Sequence, residues 1–393
     1  MFTALFLFMD LKKIFDFLQN EANKTFFKKL QESQDFSINS LQKLYDNNPG
    51  KPVKDLLSLI GLQRRNQRKI PAGDKYLFTE KGVQQASSTV LAKYHAEKFQ
   101  EFQSVADLCC GIGMDLIQIA EGKKQVYAVD SDEETFLAAK YNSRTEGLKN
   151  ITFLQQNAED FDFPVKAIFA DPDRRPGNKR SIQKDDIQPT LDELVKLRSI
   201  TENIAIKLSP AMNYKNMKFD FEHTYEFVSE NGTLKEMLLC MGKFATPNIR
   251  RKAVLLPQKI ILSERNVQIG VDKIGQYIFE PDAAIIRAGL VQECGAEIGY
   301  KLIDEKLALL SGEMQGQSEL GKCFKVKRVT SYKLKELQKY CRENEIGDLV
   351  IKTRGFPEMV EDFRKKLKLK GKNKETVFIV RKGDAHFLIF ASD

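Results

Sequence analysis

The chain has 393 residues, of which 42% are hydrophobic and 30% charged, with six Cys and no Trp. At roughly 100–200 residues per domain this length predicts about two to four domains with ordinary globular cores, which excludes collagen-like, disulfide-scaffold and wholly disordered classes. The net charge of +8 is unevenly placed: residues 322–393 carry 19 Lys and Arg against 10 Asp and Glu, and the rest is close to neutral. A polyanion-binding surface is therefore expected in the last fifth of the chain, the alternative being a solvated basic face kept for solubility.

The opening MFTALFLFMD has an apolar run far shorter than the roughly twenty residues that span a bilayer. It also lacks the basic start and small-residue cleavage site of a signal peptide. It reads as the apolar start of a helix, with Met9 as an alternative natural start, in a cytoplasmic protein without membrane contact. From Leu11 to Leu62 apolar residues recur at helical spacing, as in Leu11, Ile14, Phe15 and Leu18, and Pro49, Gly50 and Pro52 interrupt the pattern. Residues 1–75 are expected to form a helical module. Arg64, Arg65, Arg68 and Lys69 then form either a charged helix end or a phosphate contact.

A helical stretch over 82–99 is followed by short apolar runs alternating with helical patterns. The predicted strands are Val105–Cys109, Gln125–Asp130, Ile151–Gln155, Ala167–Ala170 and Ile204–Leu208. That alternation predicts an α/β, doubly wound parallel sheet within residues 76–265. Two later runs, Leu234–Cys240 and Ala253–Leu262, have no helix between them and read as an antiparallel pair at a sheet edge. A connecting segment, 266–321, contains the helical EPDAAIIRAGLVQECGAEIGYKL. The basic tail, 322–393, reads as strand, helix, strand, helix (358–367) and two strands, a small α+β domain.

VADLCCGIGMD, residues 105–115, puts an apolar strand, a glycine-bearing turn and a helix start in succession. Gly111 and Gly113 let the backbone turn tightly and a ligand approach it. The next strand ends in Asp130, 17 positions after Gly113, where a carboxylate can accept hydrogen bonds from both ribose hydroxyls. A dinucleotide fingerprint needs a small residue at 116, which is Leu116. Asp107 would repel a nearby phosphate and attract a cation. A ligand with a ribose, no phosphate and a positive charge fits, as S-adenosylmethionine does.

On these residues the chain resembles the class I S-adenosylmethionine-dependent methyltransferases, over roughly Phe78 to Leu262. The resemblance implies a Rossmann-like seven-stranded sheet. It implies that Asp107, Cys109, Gly111 and Gly113 cradle the amino-acid part of the cofactor, Asp130 its ribose, and Asn157 and Ala158 of QQNAED its adenine. Cys109 stands where that family often has Gly. DPDRRPGNKR begins at Asp171, after the fourth strand, where strand ends line the ligand crevice. Asp171 is thus placed beside the transferring methyl group, with Pro172 next to it. Arg174 and Arg175 either clamp a substrate phosphate or carboxylate or pair with local acids. Asp173 and Arg174 occupy the place where methyltransferases acting on exocyclic amines carry a base-stacking aromatic.

FTEKGVQQASSTVLAKYHAEKF, DPDRR, KLSPAMNY and EPDAAIIRAGLV, with the basic tail, resemble a narrower group: bacterial methyltransferase-like proteins with a C-terminal THUMP-like domain and a ferredoxin-like segment before it. THUMP domains bind RNA, so an RNA partner, rRNA or tRNA, is implied. No Cys or His spacing suits a zinc site, and no metal is expected. Cys109, Cys110 and Cys240 lack the setting of a thiolate nucleophile. His95, His223 and His386 are isolated and read as structural. Lys207, Ser209 and Pro210 either border the substrate pocket or simply leave the fifth strand. The leading expectation is methylation of a nucleobase nitrogen in structured RNA. The alternatives are a methyltransferase for a small molecule or protein, and a non-catalytic RNA-binding protein.

Overall fold

The computed structural model describes residues 9–33, 37–174, 186–316, 318–356, 364, 366–367 and 369–392. The chain divides into two compact units, residues 1–224 with 238–247, and 225–237 with 248–393.

In the first unit, helices α1 (Leu11–Phe17), α2 (Glu21–Glu32), α3 (Ile38–Asp46) and α4 (Val53–Arg65) come first. Asp10 caps α1 by accepting from the Lys13 N–H, and Asn20 caps α2 through the Ala22 N–H. The 3- and 4-residue spacing of Leu11, Ile14 and Leu18 puts all three on one face, and all three are fully buried. They share a single core with Leu56, Leu59 and Phe78, and that core extends to Ile112, Met114 and Ile117. The expected module boundary at residue 75 therefore runs through continuous packing. Three of the four cations at the end of α4 and just beyond it serve the chain itself. Arg64 donates to the carbonyls of Gln31 and Ser33, Lys69 to those of Val83 and Gln84, and Arg65 pairs with Glu80.

The predicted helix over 82–99 is two helices, α5 (Glu80–Gln85) and α6 (Thr89–Lys98), because Ser88 caps the second by accepting from the Leu91 N–H. Strands β1 (Ser104–Leu108), β2 (Gln125–Val129), β3 (Ile151–Leu154), β4 (Ala167–Ala170) and β5 (Ile204–Leu208) are parallel, in the order β3-β2-β1-β4-β5. Helices α7 (Met114–Ala120), α8 (Glu133–Thr145) and α9 (Leu191–Lys196) alternate with them. The strand order reverses between β1 and β4, and a ligand crevice forms at such a switch point, beyond the carboxyl ends of the strands.

The expected antiparallel edge pair is not formed. The run at 253–262 folds back on itself as β8 (Arg251–Leu256) and β9 (Ile260–Ser263), turning through Pro257 and Lys259, whose φ is +59°. The other neighbour of β8 is β6 (His223–Glu230), in parallel, so β7 (Thr233–Met241) is not its partner. Among the described residues up to Ser263 there are thus nine strands of four or more residues, two more than the expected seven. Strand β6 escaped the sequence reading because HTYEFVSE mixes polar and apolar residues, yet its first seven residues are buried, Glu226 among them.

The second unit holds a seven-stranded sheet of β10 (Tyr277–Pro281), β11 (Lys301–Leu302), β12 (Leu310–Gly312), β13 (Gly321–Ser331), β14 (Ile346–Arg354), β15 (Asn373–Lys382) and β16 (Ala385–Ser392). Its order is β11-β12-β10-β13-β16-β15-β14. Strand β10 pairs antiparallel with β13, so the expected boundary at 321/322 falls inside one sheet. Glu280 of β10 is paired by both Lys352 and Arg354 of β14. The EPDAA segment begins on β10 and continues as α10 (Ala283–Ala288) and α11 (Val291–Ile298), parted at Gly289 with φ +71°. Helix α12 (Leu334–Glu343) buries Leu337 and Tyr340 against Leu349, Val377 and Phe390. Most of the helix expected over 358–367 lies outside the described residues. Among those described, no helix is long and apolar enough to cross a membrane.

Candidate active site

The chain leaves β1 through a loop with three left-handed residues, Cys109 (φ +59°), Gly111 (φ +53°) and Gly113 (φ +84°). A side chain in this region costs about 1–2 kcal/mol, which explains why glycine is usual where Cys109 stands. A Cβ on Gly111 would meet nothing within 4 Å, so the loop faces open space there. A Cβ on Gly113 would fall 3.1 Å from the Ala139 Cα, so this glycine lets α8 close onto the loop. Asn142 of α8 holds the loop from behind. Its amide donates to the carbonyls of Ile112 (2.9 Å) and Leu77 (3.0 Å), and its oxygen accepts from the Leu77 N–H (2.7 Å).

One cavity gathers Asp107, Cys109, Gly111, Asp130, Asn157, Ala158 and Asp171 from the ends of β1 to β4 and the loops after them. Gly113 and Pro172 do not line it, and Pro172 is buried. Arg175 and the Arg174 side chain lie outside the described residues, so the expected clamp is not seen.

Asp107 is 1% exposed, and neither of its carboxylate oxygens has a hydrogen-bond partner among the described residues. Burial, reinforced by Asp115, Asp171 and Asp130, pushes its carboxyl well above the ordinary range. Asp130 accepts from the Gly111 N–H (2.8 Å), the Asp132 N–H (3.0 Å) and the Thr135 hydroxyl (3.2 Å), which fixes its carboxylate beside the glycine loop. Burial raises its pKa too. Burial also pushes the Cys109 and Cys110 thiols well up, so neither is poised as a thiolate.

Residues outside the expected catalytic and cofactor-binding sets surround the site, among them Lys207, one of whose two expected placements was the border of the substrate pocket, and His95, expected to be structural. Lys207 of β5 places its Nζ 2.6 Å from Asp171 Oδ2 and 3.3 Å from the Ser87 hydroxyl. Ser87 donates to Asp115 Oδ2 (2.7 Å), and Asp115 Oδ1 lies 2.7 Å from Nδ1 of His95, whose ring is fully buried. Burial works against the Asp115 carboxylate, but His95 and then Lys207 bring its pKa below the ordinary value. Asp173 is held by Lys81 (2.7 Å) and Gln85 (2.9 Å) of α5. Proximity in sequence signals none of these pairs. Among the described residues, no group of three or more His, Cys, Asp or Glu is arranged to hold a metal ion.

Residues 105–170 match the family described as a methyltransferase domain, and residues 321–393 match the family described as THUMP domain-like. Two relatives from Mycobacterium tuberculosis, strains CDC 1551 / Oshkosh and ATCC 25618 / H37Rv, each bear the name "uncharacterized S-adenosylmethionine-dependent methyltransferase". Each is 27% identical over 314 residues, covering 79% of this chain and 86% of the relative. A crystal structure described as a "putative methyltransferase from Porphyromonas gingivalis W83" superposes with a TM-score of 0.72 at 19% identity, covering 88% of this chain and 92% of that one. With its sheet order, its glycine loop and these likenesses, the chain is a class I methyltransferase that carries a THUMP-like domain over residues 321–393.

Proposed function

We propose that this enzyme transfers the methyl group of S-adenosylmethionine to a nucleobase nitrogen of structured RNA, rRNA or tRNA. The observation that carries the donor is Asp107. A buried carboxylate whose two oxygens have no partner among the described residues is costly, and a cationic ligand group removes that cost. The ammonium end of S-adenosylmethionine supplies such a group, so the residues present fit this donor. Asp130 is the ribose acceptor, the open backbone at Gly111 takes the amino-acid part, and Asn157 and Ala158 take the adenine.

When bound, S-adenosylmethionine supplies a methyl group already activated on a sulfonium, so the protein's task is mainly positioning and exclusion of water. Asp171, at the end of β4, orients the acceptor nitrogen and takes up the proton it loses. Pro172 shapes the backbone there, and Arg174 and Arg175 hold an RNA phosphate. The basic residues after Lys322 and the THUMP-like match support RNA as the substrate class.

Calorimetry with S-adenosylmethionine tests the donor: Asp130→Ala should weaken binding about tenfold or more, the loss of charge-assisted hydrogen bonds. Unchanged binding would overturn the assignment. Mass spectrometry of nucleosides in rRNA and tRNA from cells lacking the gene tests the substrate. One methylated nucleoside should be missing and should reappear after treatment with the enzyme. An unchanged nucleoside profile would point instead to a small-molecule or protein acceptor.

A further inference from the structure

We infer that Lys207 is a positioning residue that sets the charge of Asp171 at the methyl-transfer end of the cavity, an inference resting on the donor assignment above. The cavity is strongly acidic: Asp107, Asp115, Asp130, Asp171 and Asp173 all line it. Among the described residues its lining cation, Lys81, is engaged with Asp173. Among the described residues, Asp171 is faced by Lys207 from β5, by Asp107 from β1 and by Cys109 from the glycine loop. Lys207 stands behind this surface, 15% exposed, and ion-pairs with Asp171.

Lys207 is held from its far side as well. The Ser87 hydroxyl spends its hydrogen on Asp115, which leaves its oxygen to accept from Lys207. Asp115 is anchored by His95, whose ring packs 5.0 Å from that of Phe169. Four side chains from α6, α7, β5 and the turn before α6 thus form one hydrogen-bonded line ending on Asp171. A cation fixed this way is preorganised and needs no rearrangement when a ligand arrives. It offsets the repulsion that the neighbouring carboxylates exert on Asp171. The pair is close to neutral in sum, so the transfer end admits a neutral acceptor nitrogen and does not trap the methylated product as a counter-ion.

Two probes separate charge from packing without any turnover. Sinefungin carries an ammonium where S-adenosylmethionine carries its methyl group, whereas S-adenosylhomocysteine is neutral at that position. Calorimetry on the full-length protein gives their affinity ratio. Lys207→Met removes a nearby cation and should favour sinefungin on the order of tenfold, with little change for S-adenosylhomocysteine. Asp171→Asn should shift the ratio about as far the other way, and Lys207→Arg should leave it near the wild-type value. If Lys207→Met leaves the ratio unchanged, or shifts it in the same direction as Asp171→Asn, the inference is overturned. Should Lys207→Met fail to fold, an unmoved ratio in Asp171→Asn overturns it equally. Failure of the wild-type protein to bind either ligand defeats the donor assignment, and this inference with it.

Discussion

Asp107 costs the ligand-free fold stability, a cost that the proposed binding of a cationic donor removes. Its folded-state carboxyl is raised above the ordinary 3.8 by burial, so the folded protein holds its proton more tightly than the unfolded chain. Stability is therefore lost as pH climbs from about 3.8 through the folded-state value, since ionisation then favours unfolding. Asp107→Asn should raise the melting temperature of the ligand-free protein, and by more at pH 8 than at pH 4, while weakening S-adenosylmethionine binding. A thermal scan at the two pH values, with calorimetry alongside, checks both. Asp107 and Asp130 were legible in the sequence as candidates because one lies next to the end of an apolar strand and the other just past one, and a charge there needs a reason. The partnership of Asp171 and Lys207 was not legible. The two are 36 residues apart, and the sheet, by setting β4 beside β5, brings them together.

At the scale of elements, the glycine loop owes its shape to what lies behind it. Asn142 closes three hydrogen bonds to the backbone of Leu77 and Ile112 and is fully buried. Asn142→Ala should cost about 1–3 kcal/mol, the penalty for stranding buried backbone groups, and should loosen cofactor binding. Urea denaturation measures the first effect and calorimetry the second. The five parallel strands were legible because both faces of such a sheet are covered and its strands read as continuous apolar runs. The hairpin of β8 and β9 was not, since AVLLPQKIIL reads as a single apolar run and only Pro257 and the left-handed Lys259 mark the reversal. The split between α5 and α6 was similarly hidden in QASSTV, where Ser88 serves as a cap.

For the whole molecule, the RNA binding proposed above turns the charge imbalance into a measurable salt dependence. Lys322, Lys325 and Arg328 are exposed along β13. Replacing all three with Gln should flatten the dependence of RNA affinity on salt, lowering the log–log slope by roughly two to three, as loss of three phosphate contacts requires. An unchanged slope would place the RNA elsewhere. Deleting residues 322–393 is a poorer test, because it would strip β13 from β10 and leave Glu280 without Lys352 and Arg354. The helical start of the chain carries a comparable lesson. Leu11, Ile14 and Leu18 share their core with Ile112, inside the glycine loop, and with Met114 and Ile117 of the helix that follows it. The first 75 residues are therefore no detachable cassette. A chimera that grafts on another N-terminal module would have to reproduce the contour of that core, or the loop proposed to cradle the cofactor would settle into a different shape.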